Sequence, residues 1–253
     1  MKKKILGILN LTPDSFYDGG SLEDPLLKAK RLIKEGADIL DIGGESTRPN
    51  AKQVSADQEL HRILPVIQEL KNYPLSIDTY KPLVARKALE CGACYLNDIT
   101  GFTNPEMIAI AKDFEVKIFV MHMQGVPATM QINPIYPSGV VEEIYRWFEK
   151  RIEQLMKARI RKENIYLDPG IGFGKTQKDN FNIIKNLQRF KSLGFKLLVG
   201  ISRKSFLGTP PSDLLPATLA MNTITLLAGA DMIRVHDVKE HRQIMEMLDL
   251  FYR

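Results

Sequence analysis

Residues 168–175 read Asp168-Pro-Gly-Ile-Gly-Phe-Gly-Lys175, and Thr176 follows. Three alternate glycines and a closing Gly-Lys-Thr raise the question of a nucleotide-binding loop. A phosphate-wrapping loop of that kind needs a further glycine, then four residues, before its Gly-Lys-Ser/Thr, because backbone N–H groups do the wrapping. Counting back from Gly174 puts Pro169 in that place, and proline has no N–H to give. The dinucleotide pattern G-x-G-x-x-G fails too, since its third glycine falls on Lys175. What remains is an acidic residue at the end of an apolar run, followed by a glycine loop. Its meaning depends on how often the chain repeats that arrangement.

It repeats throughout. Short apolar runs occur at Ile5–Leu9, Asp38–Ile42, Leu75–Ile77, Cys94–Leu96, Lys117–Met121, Ile165–Leu167, Leu197–Gly200 and Met232–Val235. They are rich in Ile, Leu and Val and bounded by polar residues or Gly/Pro, as parallel strands buried on both faces should be. Helical spacing fills the intervals: 25–36, 57–71, 81–90, 105–113, 139–158, 179–190, 214–228 and 239–251. Pro82 and Pro105 stand near helix starts, where a missing N–H costs little. Gly36, Gly92, Gly194 and Gly229 stand where helix C-caps feed the next strand. Eight strands alternating with eight helices predict an α/β TIM (β/α)8 barrel, a single domain over residues 1–253. A doubly wound sheet is the alternative, but it usually has fewer strands at this length.

Composition excludes other classes. The chain has 253 residues, 44% hydrophobic and 26% charged, within the range of globular proteins. The net charge of +5 is dispersed apart from Lys2, Lys3 and Lys4. No nucleic-acid partner is expected, since such binding needs clustered Lys/Arg and a recognisable module. A mild positive excess suits an anionic small substrate. No apolar run reaches about 18 residues, so no membrane span is expected. The N-terminal apolar stretch is too short for a signal peptide, which implies a cytoplasmic protein. Cys91 and Cys94 form a CxxC between a helix and a strand, the reverse of the usual redox placement. They are expected to be a buried or semi-buried thiol pair.

In such a barrel, function collects at the C-terminal ends of the strands. Strand 1 leads into Asn10-Leu-Thr-Pro-Asp-Ser-Phe-Tyr-Asp18, and strand 2 into Gly43-Gly-Glu-Ser-Thr-Arg-Pro49. The others end in Asp78-Thr79, Asn97-Asp98, Met121-His122, Asp168, Ser202-Arg-Lys-Ser205 and Arg234-Val-His-Asp237. Polar residues at the same end of all eight strands define a site, whereas Asp38 and Asp231, ahead of strands, read as loop residues. Asp78, Asn97 and Asp168 suit a flat heterocycle rich in N–H donors, such as a pteridine or guanine edge. Lys204, Arg234 and His236 read as cationic donors for a phosphate or pyrophosphate, with Mg²⁺ shared between Asn10 and phosphate oxygens. Arg48 can close over the anion, and Phe16, Pro49 and Phe173 can line a slot for an aromatic.

The ordered motifs Asn10-x-Thr-Pro-Asp-Ser-Phe, Gly43-Gly-Glu-Ser-Thr-Arg-Pro, Ser76-Ile-Asp-Thr, Asn97-Asp-Ile-x-Gly101, Met121-His122, Asp168 to Lys175, Ser202-Arg-Lys-Ser-Phe and Arg234-Val-His-Asp237 resemble dihydropteroate synthase over residues 5 to about 240. The resemblance implies a transferase of folate biosynthesis and a sulfonamide target. Such an enzyme joins 6-hydroxymethyl-7,8-dihydropterin pyrophosphate to p-aminobenzoate, giving 7,8-dihydropteroate and pyrophosphate. It further implies that Thr47, Asp78, Asn97, Met121, Asp168 and Lys204 hold the pterin. Asn10, Arg234 and His236 would serve the Mg²⁺-pyrophosphate, with Asn10 the metal ligand. Phe16, Thr47, Pro49, Phe173 and Ser205 would shape the p-aminobenzoate slot. Asp78, Lys204, Asp18 and Arg48 would carry catalysis. A homodimer is implied as well.

The chain departs from the family at Asn50, where glycine usually follows the proline, and in a short proline-rich segment, Gly208–Ala217. A pterin-binding methyltransferase would share the pterin acids, but it would not need Phe16, Arg48, Pro49 and Ser202–Ser205. A non-catalytic pterin-binding protein would predict a damaged loop residue.

Overall fold

The computed structural model describes residues 3–12, 24–46, 53–208, 210 and 214–252. Eight parallel strands, β1 (Lys4–Asn10), β2 (Ile39–Gly43), β3 (Leu75–Asp78), β4 (Tyr95–Asp98), β5 (Lys117–Met121), β6 (Ile165–Asp168), β7 (Lys196–Val199) and β8 (Met232–Val235), pair in chain order. β8 returns to pair with β1 and closes the barrel. The helices are α1 (Pro25–Lys34), α2 (Ala56–Glu69), α3 (Pro82–Glu90), α4 (Pro105–Asp113), α5 (Val140–Lys157), α6 (Gln177–Lys185), α7 (Leu187–Lys191), α8 (Leu214–Leu227) and α9 (Val238–Phe251). No helix among the described residues is long and apolar enough to cross a membrane.

The barrel follows from strand alternation. Side chains two apart share a face, and one face of every strand points into the lumen. A first inward layer is apolar: Leu6, Ile39, Tyr95, Phe119, Tyr166, Leu198 and Met232 form their own buried cluster. Tyr95 stacks on Phe119 at 5.5 Å, and Tyr166 meets both rings edge-on. Two residues further along the same strands, the inward positions become Asp41, Asn97, Met121, Asp168 and Arg234. The strands therefore carry a packed floor with a polar mouth above it. The outward faces meet the helices in the larger core, which includes Leu9, Ile42, Ile77, Val120, Phe148 and Phe190.

Helix ends obey the expected chemistry. After α1, Gly36 N–H bonds to the Ile33 carbonyl and Ala37 N–H to the Leu32 carbonyl, a Schellman cap. Glu115 and Arg159 take the same left-handed place after α4 and α5 without being glycine. One expected helix, 179–190, is two. Asn186 ends α6 with φ −113° and its Nδ2 donates to the Asn182 carbonyl at 2.8 Å. A side chain competing for that carbonyl interrupts the helix.

The two acids read as loop residues have structural work. Asp38 Oδ2 accepts from Ile5 N at 2.8 Å and pairs with Arg242, while Asp231 Oδ2 accepts from Leu197 N at 2.8 Å and pairs with Lys191. Each satisfies a backbone N–H at the lower edge of a strand that the sheet leaves unpaired. The cysteines also differ from expectation. Both are free, Cys91 is half-buried, but Cys94 is exposed. Cys94 precedes β4 at the N-terminal end of the barrel, where connecting segments meet solvent.

Candidate active site

At the mouth, two carboxylates, the buried Asp41 and the partly buried Asp78, share one guanidinium. Arg234 Nε donates to Asp41 Oδ2 at 2.6 Å, and Arg234 Nη2 donates to Asp78 Oδ2 at 2.7 Å. Asn97 Nδ2 also donates to Asp41 Oδ2, at 3.0 Å. Asp41 Oδ1 and Asp78 Oδ1 are buried with no hydrogen-bond partner among the described residues. A buried unpaired acceptor costs about 1–3 kcal/mol, so these oxygens mark where a ligand's N–H donors gain most. Burial pushes the Asp78 carboxyl up to about 7, against the pull of Arg234 and with the repulsion of Asp41 adding to the rise. Arg234, pulled by Asp41 and Asp78, stays fully cationic. Its Nε and Nη2 are committed to the two acids, so it serves an anion with less than its whole guanidinium.

The opening stretch forms one wall. Asp168 ends β6, and its Oδ1 accepts from Gly170 N at 2.7 Å. Burial raises its pKa, opposed chiefly by Lys204. Gly170, at φ 66°, lies so close to β5 that a Cβ would fall 1.9 Å from the His122 carbonyl oxygen. Gly174, at φ 65°, crosses Gln124, whose carbonyl oxygen would stand 2.7 Å from a Cβ. Only glycine fits either place. The loop's N–H groups turn inward: Gly172 N donates to Asn180 Oδ1 at 2.8 Å, and Phe173 N to the Gly170 carbonyl at 3.1 Å. Thr176 is the N-cap of α6 in a reciprocal box with Asp179. The Gly-Lys-Thr is thus a packed loop feeding a capped helix, and these N–H groups are taken up by the loop and by α6.

Lys204, after β7, places Nζ 4.7 Å from the centre of the Phe173 ring and donates to the Ile171 carbonyl. Burial lowers its pKa to about 8. Ser205 follows in a short 3-10 turn, and Met121 is buried at the end of β5. Arg203 takes a left-handed φ of 56° between Ser202 and Lys204, and pairs with Asp237 at 2.5 and 3.1 Å. Such backbone conformations concentrate where side chains must be aimed. His236 Nδ1 lies 3.0 Å from Ser202 Oγ, which itself accepts from His236 N. Ser202 Oγ has a second lone pair as well as its own hydrogen, so the tautomer of His236 decides which of the two donates across this contact. Burial, then Arg234 and Arg203, hold His236 down to about 3. It is a neutral donor, which corrects the expectation of a cation.

The structure brings together Asp78, Asn97, Met121, Asp168, Lys204, Arg234 and His236 on adjacent strand ends, with Asn10, Phe173 and Ser205 at the rim. Phe16, Asp18, Thr47, Arg48, Pro49 and Asn50 lie outside the described residues. Three residues had not been singled out, two of them buried and Lys81 half-buried. Asp41 was hidden inside an apolar run, although a lone acid at an inward position of a central strand is itself a signal. Lys175 had counted only as part of a motif. Lys81, after β3, donates to Glu59 Oε2 at 2.7 Å, to the Val54 carbonyl at 2.8 Å and to Glu45. It thereby joins both stems of the β2–α2 connection.

Comparison with known proteins agrees with this geometry. The pterin binding enzyme family matches residues 6–236. The Haemophilus influenzae dihydropteroate synthase is 41% identical over 245 residues, covering 93% of this chain and 89% of that protein. The Yersinia pestis dihydropteroate synthase, solved in complex with a sulfonamide drug, superposes with a TM-score of 0.93 at 39% identity, covering 99% of this chain and 94% of that one. The Xanthomonas albilineans enzyme, solved with 4-aminobenzoic acid, superposes with a TM-score of 0.91 at 36% identity, covering 99% and 93%. With the acids, the lysine and the neutral histidine all standing at one barrel mouth, this chain belongs to the dihydropteroate synthase family, transferases that condense a dihydropterin pyrophosphate with p-aminobenzoate.

Proposed function

We propose that the mouth of this barrel holds the pterin edge on Asp78, Asn97 and Asp168, with Met121 and Lys204 beside it and Thr47 contributing from the second loop. The observation that carries this reading is the unpaired Asp78 Oδ1, buried beside Asn97 in a site rich in acceptors. Neutral His236, Arg234 and Asn10 serve the pyrophosphate. Phe16, Thr47, Pro49, Phe173 and Ser205 surround p-aminobenzoate, and Asp18 and Arg48 act on the departing anion.

In the reaction, the arylamine nitrogen attacks the pterin's exocyclic methylene carbon as the C–O bond breaks. The electron pair leaves with pyrophosphate, and the amine loses its proton to solvent. Positive charge at the methylene carbon is shared with the pterin ring, where ionised Asp78 stabilises it. No covalent enzyme intermediate is needed.

Mg²⁺ fits the donor set. An ion carried mainly by phosphate oxygens and water needs only one or two protein oxygens. Asn10 Oδ1 is such an oxygen, with Gly43 alongside so small that even a Cβ there would stay 3.8 Å away. When bound, the ion neutralises charge on the pyrophosphate.

Further parts of the reading are a cytoplasmic location, one pterin-binding domain over 1–253, and a homodimer. The dimer is supported by the exposed apolar residues Ile224 and Leu227 on α8 and Leu250 and Phe251 on the adjoining α9. Ile224→Arg is expected to convert a dimer to monomer in sedimentation velocity. A wild-type protein that sediments as a monomer contradicts the dimer.

The decisive experiment is pyrophosphate release from the purified protein with the pterin pyrophosphate, p-aminobenzoate and Mg²⁺. Release that depends on p-aminobenzoate, with dihydropteroate formed, supports the reading. Tight pterin binding without turnover overturns it in favour of a non-catalytic binder.

A further inference from the structure

One buried cation has no part in the chemistry above. Lys175 is 3% exposed. Its Nζ donates to the Phe173 carbonyl at 2.8 Å and the His122 carbonyl at 3.3 Å, and lies 3.1 Å from His122 Nδ1. Burying an ammonium is costly unless it is fully hydrogen-bonded, so a lysine here needs a return beyond filling space.

Four successive carbonyls of the β6–α6 loop each accept from a side chain. Ile171 accepts from Lys204, Gly172 from Gln131, Phe173 from Lys175, and Gly174 from the Tyr136 hydroxyl at 2.8 Å. Lys204 reaches the loop from beyond β7, and Gln131 and Tyr136 reach it from the β5–α5 connection. Lys175 ties the loop to His122, immediately after β5. His122 is itself fixed, with Trp147 of α5 packed edge-on at 5.1 Å. The acceptor pulled by Lys175 belongs to the residue whose ring faces Lys204 Nζ at 4.7 Å.

We infer that Lys175 is a positioning residue for the arylamine subsite: by holding the Phe173 carbonyl to His122, it sets where the Phe173 ring stands against Lys204. This rests on the assignment of Phe173 to the p-aminobenzoate slot. Protonation of Lys175 is felt by Asp168, Lys204, Asp179 and His122, which face it from β6, the segment after β7, α6 and the segment after β5. Burial brings its pKa down to about 7. Either protonation state keeps two N–H groups for the two carbonyls, with the His122 tautomer adapting.

The test compares Lys175→Met, which keeps length and loses every donor, with Lys175→Arg, which keeps donors, and with Tyr136→Phe, which frees the neighbouring Gly174 carbonyl. Steady-state kinetics with both substrates varied are read beside calorimetric affinity for the pterin pyrophosphate. Lys175→Met is expected to raise KM for p-aminobenzoate about tenfold, with kcat and pterin affinity within about threefold. Lys175→Arg is expected to recover part of that loss, and Tyr136→Phe to stay within about twofold of wild type. An unchanged KM in folded Lys175→Met overturns the inference. So does a parallel loss of KM, kcat and pterin affinity in all three variants, since that is the pattern of a merely structural role. Should Lys175→Met not fold, His122→Leu against His122→Asn carries the test. Asn keeps an acceptor near the Nδ1 position, so only Leu is expected to raise the p-aminobenzoate KM, and equal KM values refute the idea. Wild-type turnover separates the two levels: without dihydropteroate formation the functional reading fails and the inference falls with it, whereas normal wild-type turnover with an unaffected Lys175→Met removes the inference alone.

Discussion

Asp38 and Asp41 stand three residues apart, one just below strand β2 and one inside it, and they face opposite fates. At the N-terminal end of the barrel, Asp38 and Asp231 each cap a strand N–H and pair with a cation, Arg242 or Lys191. At the C-terminal end, Asp41 and Asp78 share Arg234 and each keeps one buried oxygen without a partner among the described residues. The lower acids complete the sheet. The upper acids, beyond what Arg234 and Asn97 supply, each keep an acceptor that a ligand's donors can satisfy. The same residue type thus supports stability at one end and binding at the other, the division expected of this fold.

The sharpest way to break that contrast is to neutralise an upper acid. Asp78→Asn keeps the shape and is expected to lower kcat/KM by about 10²–10³-fold in steady-state assays, the scale for one preorganised electrostatic group. An effect under about tenfold would mean that Asp78 does not support the reacting carbon. Asp78 also makes a prediction for stability. Its folded-state pKa lies above 3.8, near 7, so the folded protein holds that proton more tightly than the unfolded chain. The contribution is complete below pH 3.8 and is lost as pH rises through about 7. Denaturant melts should show wild type losing stability relative to Asp78→Asn across that window.

The lower acids should behave in the opposite way. Asp231→Ala leaves Leu197 N–H and Lys191 short of an acceptor, and is expected to cost about 1–3 kcal/mol in denaturant melts, with kcat/KM within about twofold. A large kinetic effect without a stability loss would erase the distinction between the ends.

His236 sharpens the contrast at the upper end. Held near 3, below its ordinary 6.5, it stays neutral where an exposed histidine titrates. The unfolded chain takes up this proton first, so the contribution to stability is present above 6.5 and is lost as pH falls towards 3. An NMR titration should show no imidazole ionisation between pH 5 and 8, and a midpoint near 6.5 would restore the cationic role.

The smallest effect is expected at the exposed thiol. Cys94→Ser should change stability by less than about 0.5 kcal/mol and leave turnover unchanged. A loss of turnover would bring the CxxC back into the chemistry.

Much of this architecture was legible because strands buried on both faces write themselves as uninterrupted apolar runs, and glycine caps mark where each helix gives way. Strand ends were legible for the same reason, so Asp78, Asn97, Asp168 and His236 were found in place. What stayed hidden depends on distance along the chain. Arg234 meets Asp41 across 193 residues and Asp78 across 156, and no local pattern announces such a pairing. Asp38 and Asp231 looked like loop residues because the strand N–H groups they satisfy belong to other strands. Asn186 looked helical by spacing, and its side chain's reach to Asn182 decided otherwise. The charge of His236 was misjudged because burial and two arginines, rather than residue type, set it.

The most direct test of the contrast between the barrel ends is calorimetric affinity for the pterin pyrophosphate as a function of pH, in wild type and in Asp78→Asn. The account predicts that wild-type binding weakens as pH falls through about 7, where Asp78 takes up a proton, and that the variant, already weak, lacks this component of the pH dependence. Identical pH dependence in both proteins would contradict it, and would move the essential ionisation from Asp78 to another group at the mouth.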